Sequence, residues 1–203
     1  MTTILLDTNA YLRLAKRIRP LLGVKFNPVK EYTLIVLKDV EDEVQRNREL
    51  KFRYPWFDTD DHRTERSSTR VRFKANEKAQ IEQDKHFILD YSRANAVSLM
   101  DCGRDPPGPT DCHVLAVALL KKWWVATDDE GMHLVGSNFD IKVIYCFDVL
   151  HKLLSAGMVD KAKVIEIFDA LQANSDMTAK WRGAKDTIFK NVFGKGRRKS
   201  EAE

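Results

Sequence analysis

Residues 4–12 read ILLDTNAYL, and the choice of fold depends on how that stretch is parsed. An apolar run, Ile4 to Leu6, stops at Asp7-Thr8-Asn9, after which Tyr11, Leu12 and Leu14 take up a helical spacing. The pattern predicts a buried strand that feeds directly into a helix. In an open parallel α/β sheet, ligands sit in the crevice outside the carboxyl ends of the strands, so such a strand delivers Asp7 to that crevice on a rigid support. A plainer reading stands beside it. Asp, Thr and Asn all cap the free N–H groups of a first helical turn, and capping alone would account for Asp7.

Working outward, Ala10 to Arg19 predicts a helix with Tyr11, Leu12 and Leu14 inward and Arg13, Lys16, Arg17 and Arg19 outward, stopped by Pro20. Arg13 and Arg17 are candidate contacts for nucleic acid, weighed against an ordinary solvated face. YTLIVL, Tyr32 to Leu37, is the second strand. The run DVEDEVQRNREL from Asp39 keeps Val40 and Val44 at helical spacing. It sets Glu43 one turn past that strand, near the edge that carries Asp7. The helix dipole by itself also favours acids there. Residues 52–76 form a polar, irregular stretch in which Arg53, Arg70 and Arg72 alternate with Phe52, Tyr54, Trp56, Phe57 and Phe73. Cations interleaved with aromatics suit single-stranded nucleic acid, and a surface loop pinned by its aromatics is the competing account. Lys74 to Asn95 predicts a long helix with Ala75, Ala79, Phe87 and Tyr91 inward, and Ala96 to Leu99 a short third strand.

The segment from Asp105 to Met132 brings further acids. After Pro106-Pro107-Gly108-Pro109, Thr110 is placed to cap a helix whose apolar face is Val114, Leu115, Ala118 and Leu119, with Asp111 in its first turn. Trp123 to Thr127 predicts a buried strand followed by Asp128-Asp129, and Ile141 to Cys146 predicts another. Asp7, Glu43, Asp111 and Asp128/Asp129 thus converge on one rim. Carboxylates gathered this way raise each other's pKa unless a cation intervenes. Hard oxygen donors without paired cysteines or histidines favour Mg²⁺ or Mn²⁺, and such a site supports in-line phosphodiester hydrolysis.

These segments resemble the PIN-domain nucleases. The likeness rests on LLDTN (Asp7, Thr8, Asn9), VEDEV with Glu43, TDCHVLAVAL opening on Asp111, and VATDD with Thr127 and Asp129, over roughly residues 1–150. It implies a three-layer α/β/α sandwich around a parallel sheet of about five strands, ordered 3-2-1-4-5. It implies Asp7, Glu43, Asp111 and Asp129 as the catalytic, metal-binding acids. Asp128 would share the ion or replace Asp129, while Asn9 and Thr127 would orient the carboxylates by hydrogen bonds. The activity implied is metal-dependent cleavage of RNA, single strands above all. Many small members are VapC-like toxins of toxin–antitoxin pairs, so an antitoxin partner and a homodimer belong to the implication, as does a stand-alone role in RNA processing. The chain departs from the small toxins in an insertion at about 52–98 and a helical extension, 151–203, that ends in the basic run GKGRRKS. These departures bear on toxin status more than on fold or metal chemistry.

At 203 residues and 43% hydrophobic, the chain has material for one generous core with elaborations. No run approaches the ~20 apolar residues of a membrane span, and the N-terminus lacks a secretory layout, so the expectation is a cytoplasmic protein without membrane contact. Cys102, Cys112 and Cys146, odd in number and without a C-x-x-C pair, read as incidental thiols. The net charge of +4 permits a nucleic-acid partner without demanding one. His113 reads as a packing or surface residue, and there is no Gly-rich phosphate loop. Two other functions compete with this one. A catalytically inactive PIN-like module that binds nucleic acid or protein has no need of the full acid set. An Asp-first phosphatase of the haloacid-dehalogenase type would carry a second Asp two positions after Asp7, where this chain has Asn9.

Overall fold

The structure is a computed structural model and describes residues 1–27, 29–101 and 103–194. The chain divides into two compact units, Met1–Cys146 and Phe147–Glu203. In the first, β1 (Thr2–Leu6) runs into α1 (Thr8–Ala15), and β2 (Lys25–Phe26) and β3 (Tyr32–Val36) follow. Then come α2 (Lys38–Arg46), α3 (Arg48–Arg53), a 3-10 turn at Pro55–Asp58, α4 (Asp60–Ser68), α5 (Ala75–Ala94) and α6 (Ala96–Asp101). The unit is completed by α7 (Pro109–Lys121), β4 (Trp124–Ala126), α8 (Glu130–Asn138) and β5 (Val143–Ile144).

The fold is α/β: a five-stranded sheet with helices on both sides. Its order is β2-β3-β1-β4-β5, with β1 central, aligned in parallel with β3 (Leu6 opposite Val36) and with β4 (Leu6 opposite Ala126). Ile4, Leu5 and Leu6 are fully buried, as a parallel strand covered on both faces must be. Two details differ from expectation. Ala96–Asp101 is the helix α6, because a short apolar run does not distinguish a buried strand from a buried helix. The edge beyond β3 is taken instead by β2, which pairs antiparallel through Lys25 opposite Thr33, so the sheet is mixed.

The stretch 52–76 is largely helical. Arg66 of α4 is 3% exposed, with its guanidinium carbon 3.8 Å from the centre of the Phe57 ring and Nη1 donating to the Tyr11 hydroxyl at 3.2 Å. Glu65 Oε1 accepts from the N–H groups of Leu21 and Leu22 at 2.5 and 2.6 Å. The polar composition that reads as loop is thus a helix clamped to α1 and to the chain that leaves it. On α5 the buried positions are Ile81, Ile88 and Ser92, while Ala75 and Ala79 are exposed and Phe87 is 67% exposed.

The second unit comprises α9 (Cys146–Ser155, which starts on the last residue of the first unit), α10 (Lys161–Ala173), α11 (Ala179–Asp186) and α12 (Lys190–Phe193). Phe168 meets Trp181, Phe189 and Phe193 edge-on, with ring centres 5.1, 5.2 and 4.9 Å apart. Such offset aromatic packing stabilises by about 0.5–1.5 kcal/mol per pair beyond area burial. The basic run from Lys195 to Lys199 and Cys102 lie outside the described residues. No helix among the described residues is long and apolar enough to cross a membrane.

Candidate active site

Where β1 and β4 end, the chain turns almost at once into helices, and that places acids at helix starts on the carboxyl edge of the sheet. Asp7 caps α1: Oδ1 accepts from the Ala10 N–H at 2.5 Å, and Oδ2 accepts from the Thr127 hydroxyl at 2.5 Å. It is only 4% exposed. Burial pushes its carboxyl from 3.8 up to about 7; the bonds from Thr127 and Ala10 oppose the rise, and the charges of Asp111 and Asp128 add to it. Asp111, in the first turn of α7, reaches back to the Gly108 N–H at 2.9 Å. Burial lifts it to about 6, against the Gly108 bond and with the help of Asp129 and Glu43.

Asp129 caps α8 through the Met132 N–H at 2.7 Å, while its own N–H donates to the Thr127 hydroxyl oxygen at 3.0 Å. The Thr127 hydroxyl therefore ties Asp7 to Asp129. Glu43, from α2, accepts the Thr8 hydroxyl on Oε2 at 2.5 Å. At Asp111 and Asp129 the capping and site readings are compatible, because the cap engages one oxygen and fixes where the other points; at Asp7 both oxygens accept a hydrogen bond, and each keeps a further lone pair.

Asp128 is placed differently from its neighbours. Its Oδ2 pairs with Arg13 at 2.5 Å and its Oδ1 accepts from the Cys146 N–H at 3.0 Å, so both oxygens are committed within the protein. Arg13 is by the same contact a half-buried counter-ion to Asp128. Asn9 is exposed and makes no hydrogen bond to the acids among the described residues; the orienting hydroxyl on that side belongs to Thr8. A hydroxyl residue directly after Asp7 was the available signal. Arg17 is half-buried and engaged, and Arg70 pairs with Glu41 at 2.8 Å. Arg53 is exposed on α3 beside Tyr54, and Arg72 is exposed between α4 and α5.

Two arginines outside the sequence-predicted set share a cleft with Glu43. An open cleft of about 510 Å³ is lined by Glu43, Arg46, Asn47, Arg48 and Thr110. Arg46 donates to the Asp42 carbonyl at 3.1 Å, and among the described residues neither Arg46 nor Arg48 is held in an ion pair. Lying three and five residues beyond Glu43, at the end of α2 and the start of α3, they resemble a solvated face, and only the concavity distinguishes them.

No three His, Cys, Asp or Glu side chains among the described residues stand close enough together to enclose an ion. Magnesium retains several waters and takes one or two carboxylates from protein, so these hard oxygen donors fit a water-rich ion and not an all-protein cage. The buried thiols offer no competing soft ligand: burial pushes Cys112 up to about 12 and Cys146 well above its ordinary value.

No family model matches the chain, and no curated protein matches it. Among solved structures, it is similar to a chain in the crystal structure of FitAcB from Neisseria gonorrhoeae, with 14% identity and a TM-score of 0.39 over 71% of this chain and 98% of that one. It is also similar to a chain in the structure of FitAB bound to an IR36 DNA fragment, with 16% identity and a TM-score of 0.42 over 71% and 95%.

Proposed function

We propose that the first unit is a metal-dependent nuclease of PIN type that hydrolyses RNA phosphodiester bonds. The observation that supports this most is the gathering of acids at the carboxyl edge of the sheet: the Thr127 hydroxyl ties buried Asp7 to Asp129, Thr8 holds Glu43, and half-buried Asp111 opens α7, with Asp7 and Asp111 raised mainly by burial and further by acidic neighbours. Burying like charges together is costly unless a cation neutralises them. Asp7, Glu43, Asp111 and Asp129 are the residues that would hold Mg²⁺ or Mn²⁺. Once bound, such an ion would supply positive charge to the phosphoryl oxygens and lower the pKa of the attacking water. The chain's own part is to hold the acids by backbone N–H groups and the Thr8 and Thr127 hydroxyls. Arg46 and Arg48 would draw the phosphate backbone into the cleft beside Glu43.

The test is cleavage of labelled single-stranded RNA by the full chain with Mg²⁺, Mn²⁺ or chelator, alongside Asp7→Asn and Asp111→Asn. Activity lost with chelator and in both variants is the expected result. Wild-type protein that binds RNA in Mg²⁺ and leaves it intact would instead identify a binding module. An adjacent reading frame for a small DNA-binding antitoxin decides between a toxin and a stand-alone RNA-processing enzyme.

A further inference from the structure

A second cavity, of about 560 Å³, is lined by the first turn of α2, one turn before Glu43, and the proposed hydrolysis does not use it. Its apolar lining is Leu37, Val71, Phe73 and Ile81, drawn from the end of β3, the extended chain between α4 and α5, and α5 itself. Arg72 and Lys78, both exposed, stand on its cationic rim. Its polar wall is His113 of α7, with Nε2 3.3 Å from Asp39 Oδ2 and Nδ1 3.6 Å from Glu82 Oε1. Volume and lining match a small-ligand pocket, which pairs an apolar body with a few fixed polar groups.

Position says which ligand. Asp39, Glu43 and Arg46 follow one another on α2 at intervals of four and three, hence along one face. Asp39 lines this cavity, Arg46 lines the cleft, and Glu43 lies between them. A strand whose phosphates reach Arg46 and Arg48 would, one step along, lie over a cavity with an aromatic wall and a cationic rim. We infer that this cavity receives one unstacked base of a single-stranded substrate, stacked against Phe73, with the neighbouring phosphate held by Arg72 and Lys78. The carboxylates of Asp39 and Glu82 are acceptors, so the pocket favours a base bearing an exocyclic amino group over uracil. This inference rests on the nuclease reading for its substrate, and adds that the cleavage is base-selective.

The experiment reads cut sites in a randomised single-stranded RNA pool treated with the full chain in Mg²⁺, for wild type, Phe73→Ala, Phe73→Trp and Lys78→Glu. Equilibrium binding of RNA homopolymers in chelator runs in parallel. The expected result is a preference at one position beside the cut that Phe73→Ala abolishes and Phe73→Trp retains, with homopolymer affinity reduced about tenfold by Phe73→Ala. Lys78→Glu, at an exposed site that leaves the fold intact, weakens binding to every homopolymer; it carries the test if Phe73→Ala does not fold. Unchanged cut-site profiles in Phe73→Ala, or unchanged binding by Lys78→Glu, overturn the pocket while leaving the nuclease standing. If wild type does not cleave, the nuclease reading falls; discrimination among homopolymers that depends on Phe73 would still support the base pocket, and its absence would overturn that as well.

Discussion

At Asp7 one carboxylate oxygen caps α1 and the other takes the Thr127 hydroxyl, so an amide keeps the cap through its oxygen and meets Thr127 with the direction reversed, its NH2 donating to the hydroxyl oxygen, while removing the charge. The sign of the effect on stability follows from proton linkage. Between 3.8 and about 7 the folded protein holds a proton on Asp7 that the unfolded chain has released, so stability falls as pH rises across that window. The full difference corresponds to on the order of 4 kcal/mol. Asp7→Asn is therefore expected to abolish cleavage and yet, without metal, to unfold at higher denaturant than wild type at about pH 8, with the advantage vanishing near pH 4. Equal midpoints at both pH values would show that Asp7 is not held against its ionisation. Gly131 tests the geometry of the same site from the other side. A Cβ there would come 2.1 Å from the Asp105 carbonyl oxygen and 3.0 Å from Asp129 Oδ1. Gly131→Ala is expected to destabilise by about 1–3 kcal/mol and to lower turnover by displacing Asp129, read by melting and by cleavage rate.

Among the elements, α2 carries an acid of the candidate site, Glu43, and Arg46, and α3 begins on Arg48. For single strands, each phosphate contact contributes about 0.7 to the slope of log affinity against log salt. Replacing Arg46 and Arg48 together by alanine is expected to lower that slope by about 1.4, measured by RNA anisotropy on the Asp7→Asn background so that nothing is cut. An unchanged slope would return both arginines to the solvated surface. Element by element, the sequence is readable where burial leaves a long signature. β1 and β3 are unbroken apolar runs, so the central strand, its parallel neighbour and the place of Asp7 follow from residues 4–12 and 32–37. β2 has two residues and carries no periodic signal at all. α4 hides because its burial is achieved by Arg66 and His62, residue types that composition assigns to the surface; the cation is admitted by Phe57, Tyr11 and Glu41, contributed from other elements. On α5, Phe87 looks like core but lies outward against Phe139, since the inward face is set by packing along α7. Among the candidate site residues, acids at strand ends were legible because the chain turns there. Thr8 is marked only by its place directly after Asp7, and Arg46 and Arg48 carry no signal, because their part depends on what stands across from them.

For the molecule as a whole, the proposed function requires that protons and a divalent ion compete for the same carboxylates, Asp7 and Asp111. At about pH 5, below the values of both Asp7 and Asp111, the metal-free protein keeps protons on these acids, and an ion must displace them to bind. At about pH 8 both are ionised, repel one another and offer the ion a site without that cost. An ion present at about 100 times its Kd stabilises the fold by about 2.7 kcal/mol. For a chain of this size that raises the melting temperature by about 5–10 °C. Calorimetry of the full chain with and without Mg²⁺ is expected to show that rise at the higher pH and little at the lower. Asp111→Asn should remove most of it, because the ion then loses an anionic donor. A rise of equal size at both pH values, or one that survives in Asp111→Asn, would mean that Mg²⁺ acts somewhere other than the acid rim and that the buried carboxylates serve the fold alone.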